Sequence, residues 1–117
     1  MIKLDNEKGA ICISTDVITW LAGDAATRCF GVKGMAGRAK ESGLVQLLRR
    51  ESMTKGVSVT PNEDGSITVE LHIVVDHGVN LSALSQSIMN EVSYKITSAT
   101  DVPVRRVDVF IDSMILD

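Results

Sequence analysis

The stretch from Ser66 to Asp76, SITVELHIVVD, alternates apolar and polar residues with a period of two. Ile67, Val69, Leu71, Ile73 and Val75 fall on one side; Thr68, Glu70, His72 and Asp76 fall on the other, with Val74 the one apolar exception. Successive side chains of a pleated strand point to opposite faces, so this is a half-buried strand with an apolar inner face. Val57 and Val59 supply the same face of a shorter partner, joined through a turn at Asn62-Glu63-Asp64-Gly65. Pro61 ends that ladder, and Asp64-Gly65 suits a turn that needs positive φ.

The rest of the chain supplies elements to pack on this hairpin. Lys8–Ile13 reads as a short strand. Ser14-Thr15-Asp16 is helix-start chemistry, a hydroxyl for the free first-turn N–H groups and a carboxylate for the dipole. Val17, Ile18, Leu21, Ala22, Ala25 and Cys29 then recur at helical spacing, with Trp20 off the centre of that stripe. The helix is expected to stop near Phe30-Gly31. Gly31 to Gly43 holds four glycines among three basic residues and reads as a loop, and Leu44–Met53 as a short second helix. Asn80 caps a longer helix carrying Leu81, Leu84, Ile88, Val92, Ile96 and Ala99 on one side. Pro103 precludes its continuation, and a last strand follows, with Val107, Val109 and Ile111 inward and Arg106, Asp108 and Asp112 outward. Phe110, Met114, Ile115 and Leu116 give that strand apolar character on both sides, suited to cover by a subunit partner. The expected fold is α+β. It is one two-layer domain over 1–117, with a mainly antiparallel sheet of about four strands and two long helices on one face. The element order is β-α-(α)-β-β-α-β, similar to one KH type.

A chain of 117 residues makes one domain. No apolar run approaches a membrane span, and MIKLDNEKGA has no apolar signal core, so a cytoplasmic protein is expected. Cys12 and Cys29 lack CxxC spacing and read as small buried apolar residues. Charge is lopsided: nine Lys/Arg against six Asp/Glu up to Lys55, three against nine from Gly56 on, for a net −3. The basic excess between Arg28 and Lys55 orients the domain towards an acidic partner or polyanion, or is simply a solvated face.

Chemistry is sparse. His72 and His77 are the only histidines, on opposite faces if the strand ran on unbroken, with His77 just beyond it beside Gly78, and Asp76-His77 supplies no convergent ligand set. Glu63, Asp64, Asp108 and Asp112 read as solvated surface. No nucleophile has a visible base and no phosphate-binding GxxxxGK[ST] loop occurs, so no enzyme, cofactor or metal is expected. The sharper hypothesis concerns Gly31-Val32-Lys33-Gly34, which has the GXXG form of a KH loop clamping a nucleic-acid backbone between two helices. Lys33, Arg38 and Lys40 would then meet phosphates, and Arg49 and Arg50 extend the same basic contact surface. The repeat Gly34-Met35-Ala36-Gly37, the acidic net charge and the shortage of aromatics weigh against it.

Several segments together resemble the alkaline shock protein family, envelope stress response proteins of Gram-positive bacteria. They are Val17-Ile18, Leu21-Ala22 and Ala25-Ala26, then Gly31-Val32, Gly56-Val57, Val59, Gly65, Ile67, Val69 and Leu71. Ile73-Val74-Val75, Gly78, Ile88, Val92, Val107-Asp108-Val109 and Ile111 complete the pattern. The sequence departs from it at His77, where an aromatic residue is usual, and at Asp101, where glycine is usual. The resemblance implies a non-enzymatic cytoplasmic protein of cell-envelope homeostasis. It implies self-association and a position at the membrane through a membrane-embedded partner. It carries no catalytic residues.

Overall fold

A computed structural model describes residues 1–38, 45–47 and 55–116. The order is β1 (Ile2–Asn6), β2 (Gly9–Ile13), α1 (Thr15–Thr27), β3 (Val32–Arg38), β4 (Val45–Leu47), β5 (Val57–Pro61), β6 (Ile67–Asp76), α2 (Leu81–Thr100) and β7 (Val104–Ile115). The strand expected from alternation is β6. Its Ile67, Val69, Leu71, Ile73 and Val75 are fully buried, while Thr68, Glu70, His72 and Asp76 stay partly open. Val57 faces Leu71 and Val59 faces Val69 across the hairpin, and Pro61 is the last residue of β5. In the turn Gly65 takes φ 89°, Asn62 N–H donates to the Ser66 carbonyl at 2.8 Å, and Asp64 accepts from Ser66 N–H at 3.0 Å.

β6 has two different edges. Along one, β5 pairs antiparallel with its first half and β3 with its second half, where Val32 meets Val75 and Met35 meets Ile73. Gly56 sits where β3 and β5 meet end to end. A Cβ there would lie 2.9 Å from the Ala36 carbonyl oxygen and 3.2 Å from that of His72, so only glycine fits without displacing backbone. The other edge is taken by β7, which runs parallel to β6 over its whole length. Parallel neighbours need a crossover, and α2 supplies it. Among the described residues the main sheet thus has five strands with β4 beyond β3, and β1 and β2 form a separate two-stranded sheet.

Both helices lie on the apolar face of β6. Ser14 caps α1 through Asp16 N–H, and Asn80 caps α2 through Ala83 N–H. Ile18, Ala22 and Ala26 of α1 and Ile88, Val92 and Ile96 of α2 are fully buried with Val107 and Met35 in one core. Four of the six buried α1 residues are Ala or Gly, so the helix backbone approaches its neighbours closely. α2 stops at Asp101, which takes the left-handed cap conformation (φ 61°, ψ 8°) with its N–H on the Thr97 carbonyl.

Several expectations are corrected. Val45–Leu47 is a strand antiparallel to β3 and not part of a helix; the remainder of Leu44–Met53 lies outside the described residues. The glycine-rich segment is a strand from Val32 to Arg38 rather than a loop, and Gly34 lies buried opposite Val74. β1, with Ile2 buried, was not expected at all. Val17 is 48% exposed and leaves the α1 stripe, Leu81 and Ala99 lie outside the α2 stripe, and Cys12 is exposed on β2.

Candidate functional site

The residues singled out for polyanion or partner contact do not form one clamp. Gly31 is buried in the turn after α1 at φ 100°, with Val79 packed where a Cβ would stand. Lys33 is exposed on β3 and pairs with Asp76 at 3.3 Å, while Gly34 is buried. Arg38 is the last residue of β3 and aligns with Val45; Lys40, Arg49 and Arg50 lie outside the described residues. A KH clamp needs GXXG as a loop between two helices, and here it is a turn running into a central strand. The neighbouring cation Arg28 is also matched by acid, at 3.1 Å from Asp24.

Two polar clusters were not foreseen. On the sheet face opposite the helices, His72 stacks on Phe110 with ring centres 4.8 Å apart. Its Nδ1 lies 2.9 Å from Asp112 and its Nε2 3.5 Å from Glu70. Asp112 reaches this position because the β6–β7 register shifts between Ile73 and Val74, leaving one extra residue in β7. Its side chain is therefore 11% exposed, not the solvated surface expected of it. With Ala36, Gly37 and Lys55 the two residues line a hollow of about 140 Å³. That is below the roughly 300 Å³ at which small-molecule sites begin. In the helix layer, Asp24 is 2% exposed and is held by Arg28 and, at 3.6 Å, by Lys95 of α2. It sits among buried alanines, and ties α1 to α2 where those small side chains give little grip. The only advance signal was a carboxylate inside an alanine stripe.

Cys29 is half-buried between the helices, beside Ala25, Arg28, Ser87 and Glu91. Burial pushes its thiol pKa up, and the Glu91 carboxylate adds to the shift, so the thiolate is disfavoured. An apolar groove of about 360 Å³ continues past it, lined by Phe30, Val79, Ala83 and Leu84 among others. Among the described residues no three His, Cys, Asp or Glu side chains come together to hold a metal ion. Nor is any described helix long and apolar enough to cross a membrane.

What the surface offers instead is apolar area. Phe30 is 95% exposed, Leu116 74%, Phe110 42% and Met114 39%. The last three belong to β7 or its end, and among the described residues β7 pairs only with β6. The described residues thus form an α+β domain whose last strand is paired along one edge and carries exposed apolar side chains. By sequence the chain belongs to the Asp-23 (alkaline shock protein) family, described as having a cell envelope-related function, whose pattern it matches over residues 3–116. It is 31% identical over 114 residues to the uncharacterised protein YloU of Bacillus subtilis (strain 168), covering 97% of this chain and 94% of the relative. Spy1614, an uncharacterised protein of Streptococcus pyogenes serotype M6, is 33% identical over 114 residues, with 97% and 93% covered. No solved structure matches the chain.

Proposed function

We propose that this chain is a non-enzymatic interaction module of the cell envelope. It associates with further copies of itself and is brought to the membrane from the cytoplasmic side by a membrane-embedded partner. The observation that supports this best is β7. It is a twelve-residue strand that among the described residues is paired along one edge only, with Phe110, Met114 and, just past its end, Leu116 in solvent. An unpaired edge offers a row of backbone donors and acceptors, and the apolar side chains add area to whatever pairs there. The family's envelope-related function supports the cellular setting.

The test is purification of a tagged copy from its own host alongside an untagged copy, with and without ribonuclease. Ribonuclease-insensitive recovery of the untagged copy and of a membrane-embedded protein is expected. Recovery of the tagged chain alone, or of RNA and ribosomal proteins that ribonuclease removes, would overturn the reading.

A further inference from the structure

We infer that β7 pairs antiparallel with β7 of a second copy, about a two-fold axis through Val109 perpendicular to the sheet, with Arg106 of each chain opposite Asp112 of the other. The inference rests on the self-association reading above and specifies its surface and register.

An axis perpendicular to the sheet leaves every residue on its own face. Paired positions must therefore share a face, and the axis must pass through a residue of β7. The faces are fixed by the alignment with β6. Val107, Val109 and Ile111 align with the core-side Val69, Leu71 and Ile73, while Arg106, Asp108 and Phe110 align with the outer Thr68, Glu70 and His72. Asp112 belongs with the outer group through its contact to His72.

Charge then separates the registers, since like charges directly opposite destabilise a strand pair and opposite charges support it. An axis through Asp108 sets that carboxylate against its own copy. An axis through Phe110 sets Asp108 against Asp112 twice. One through Val107 matches Arg106 with Asp108 but pairs only Val104 to Phe110, leaving Met114 in solvent. One through Ile111 sets Arg106 against Leu116 and gives it no acid. An axis through Val109 places Arg106 opposite Asp112 twice and Val107 opposite Ile111, with Val104 opposite Met114. It is the one register that pairs almost the whole strand and meets each Arg106 with an acid. Strand charges commonly protect an edge from pairing; here the basic start and acidic end of β7 permit self-pairing in this arrangement and penalise its neighbours.

The irregularities of β7 agree with it. Its register with β6 shifts between Val104 and Arg106 and again between Ile111 and Ser113. The two-fold through Val109 brings these places together, Arg105 of one copy meeting Ser113 of the other. Val104 and Met114, opposite one another, both align with core-side residues of β6, Ile67 and Val75. Across the axis the two Phe110 rings stand in diagonal positions, a spacing of roughly 7–8 Å that aromatic side chains bridge.

Two single-cysteine chains test the register, D108C and F110C, each in a C12S/C29S background and each checked for native circular dichroism. Opposite outer-face positions bring their Cβ atoms near disulfide range. Mixed chains are expected to form a disulfide-linked heterodimer under mild oxidation, while neither chain alone does so. A homodimer of D108C, or of F110C, would place the axis elsewhere and overturn the inference. No cross-link in the mixture, although the wild-type chain sediments as a dimer, would overturn it while leaving self-association standing. A monomeric wild-type chain would overturn both. R106D, at an exposed position whose side-chain hydrogen bonds among the described residues go only to Asp108 of its own chain, provides a second measurement. Its dimer dissociation constant is expected to rise on the order of tenfold, and an unchanged value would also overturn the inference.

Discussion

Replacing Gly56 by alanine probes how the sheet is closed along β6. A new Cβ would stand 2.9 Å from the Ala36 carbonyl oxygen, 3.0 Å from Met35 Cβ and 3.2 Å from the His72 carbonyl oxygen, where ordinary contact begins at 3.4 Å. All three neighbours lie in or beside the β3–β6 ladder, so none can swing away as a flexible side-chain end would. Strain of this kind in a packed interior costs about 1–3 kcal/mol. For a domain of this size that is a fall of about 4–12 °C in melting temperature. Gly65→Ala is the control: nothing lies within 4 Å of its added Cβ, and only the positive φ of 89° opposes the change, at a cost of about 1 kcal/mol. Thermal and urea melts followed by circular dichroism measure both. A Gly56→Ala loss no larger than that of Gly65→Ala would refute the reasoning, because the seam between β3 and β5 would then be loose.

Three further outcomes are expected. Asp24→Asn should destabilise by about 1–3 kcal/mol, because the carboxylate at 2% exposure gives up its charge-assisted contacts with Arg28 at 3.1 Å and Lys95 at 3.6 Å; an unchanged urea midpoint would contradict this. Asp101→Gly should stabilise by about 0.5–1 kcal/mol, since Asp101 holds φ 61° at the end of α2 and glycine takes that conformation without a Cβ clash; a lower melting temperature would count against it. Towards a thiol reagent at pH 8, exposed Cys12 should react first and Cys29 at least about tenfold more slowly, because burial and Glu91 raise the Cys29 pKa and deplete its thiolate. Equal rates in single-cysteine chains would contradict the placement of Cys29.

The sequence was most legible where one physical signal acted alone. The alternation of Ile67 to Val75, the caps at Ser14 and Asn80 and the turn at Asp64-Gly65 are local patterns, and each stands where it was expected. The glycine-rich segment misled because glycine density has two causes. It marks mobile loops, but it also marks strands whose backbone others approach closely, and β3 beside Gly56 is of the second kind. The His72–Asp112 contact was illegible because it depends on β7 lying parallel to β6 with one residue extra, a non-local fact absent from either strand's own pattern. Asp24 stood in plain view on the α1 stripe, yet its partner Lys95 lies on a helix whose rotation only the packed core fixes. The site residues followed the same division: the apolar excess of β7 could be read in Phe110, Met114 and Leu116, while its open edge could not.

The measurement that bears most directly on the account is sedimentation equilibrium of the wild-type chain over a wide concentration range, at low and high salt. A reversible, concentration-dependent dimer or larger assembly, weakened by salt as the paired charges are screened, is the predicted result. A chain that stays monomeric throughout would contradict the central claim, and β7 would then be an edge that its charges keep apart.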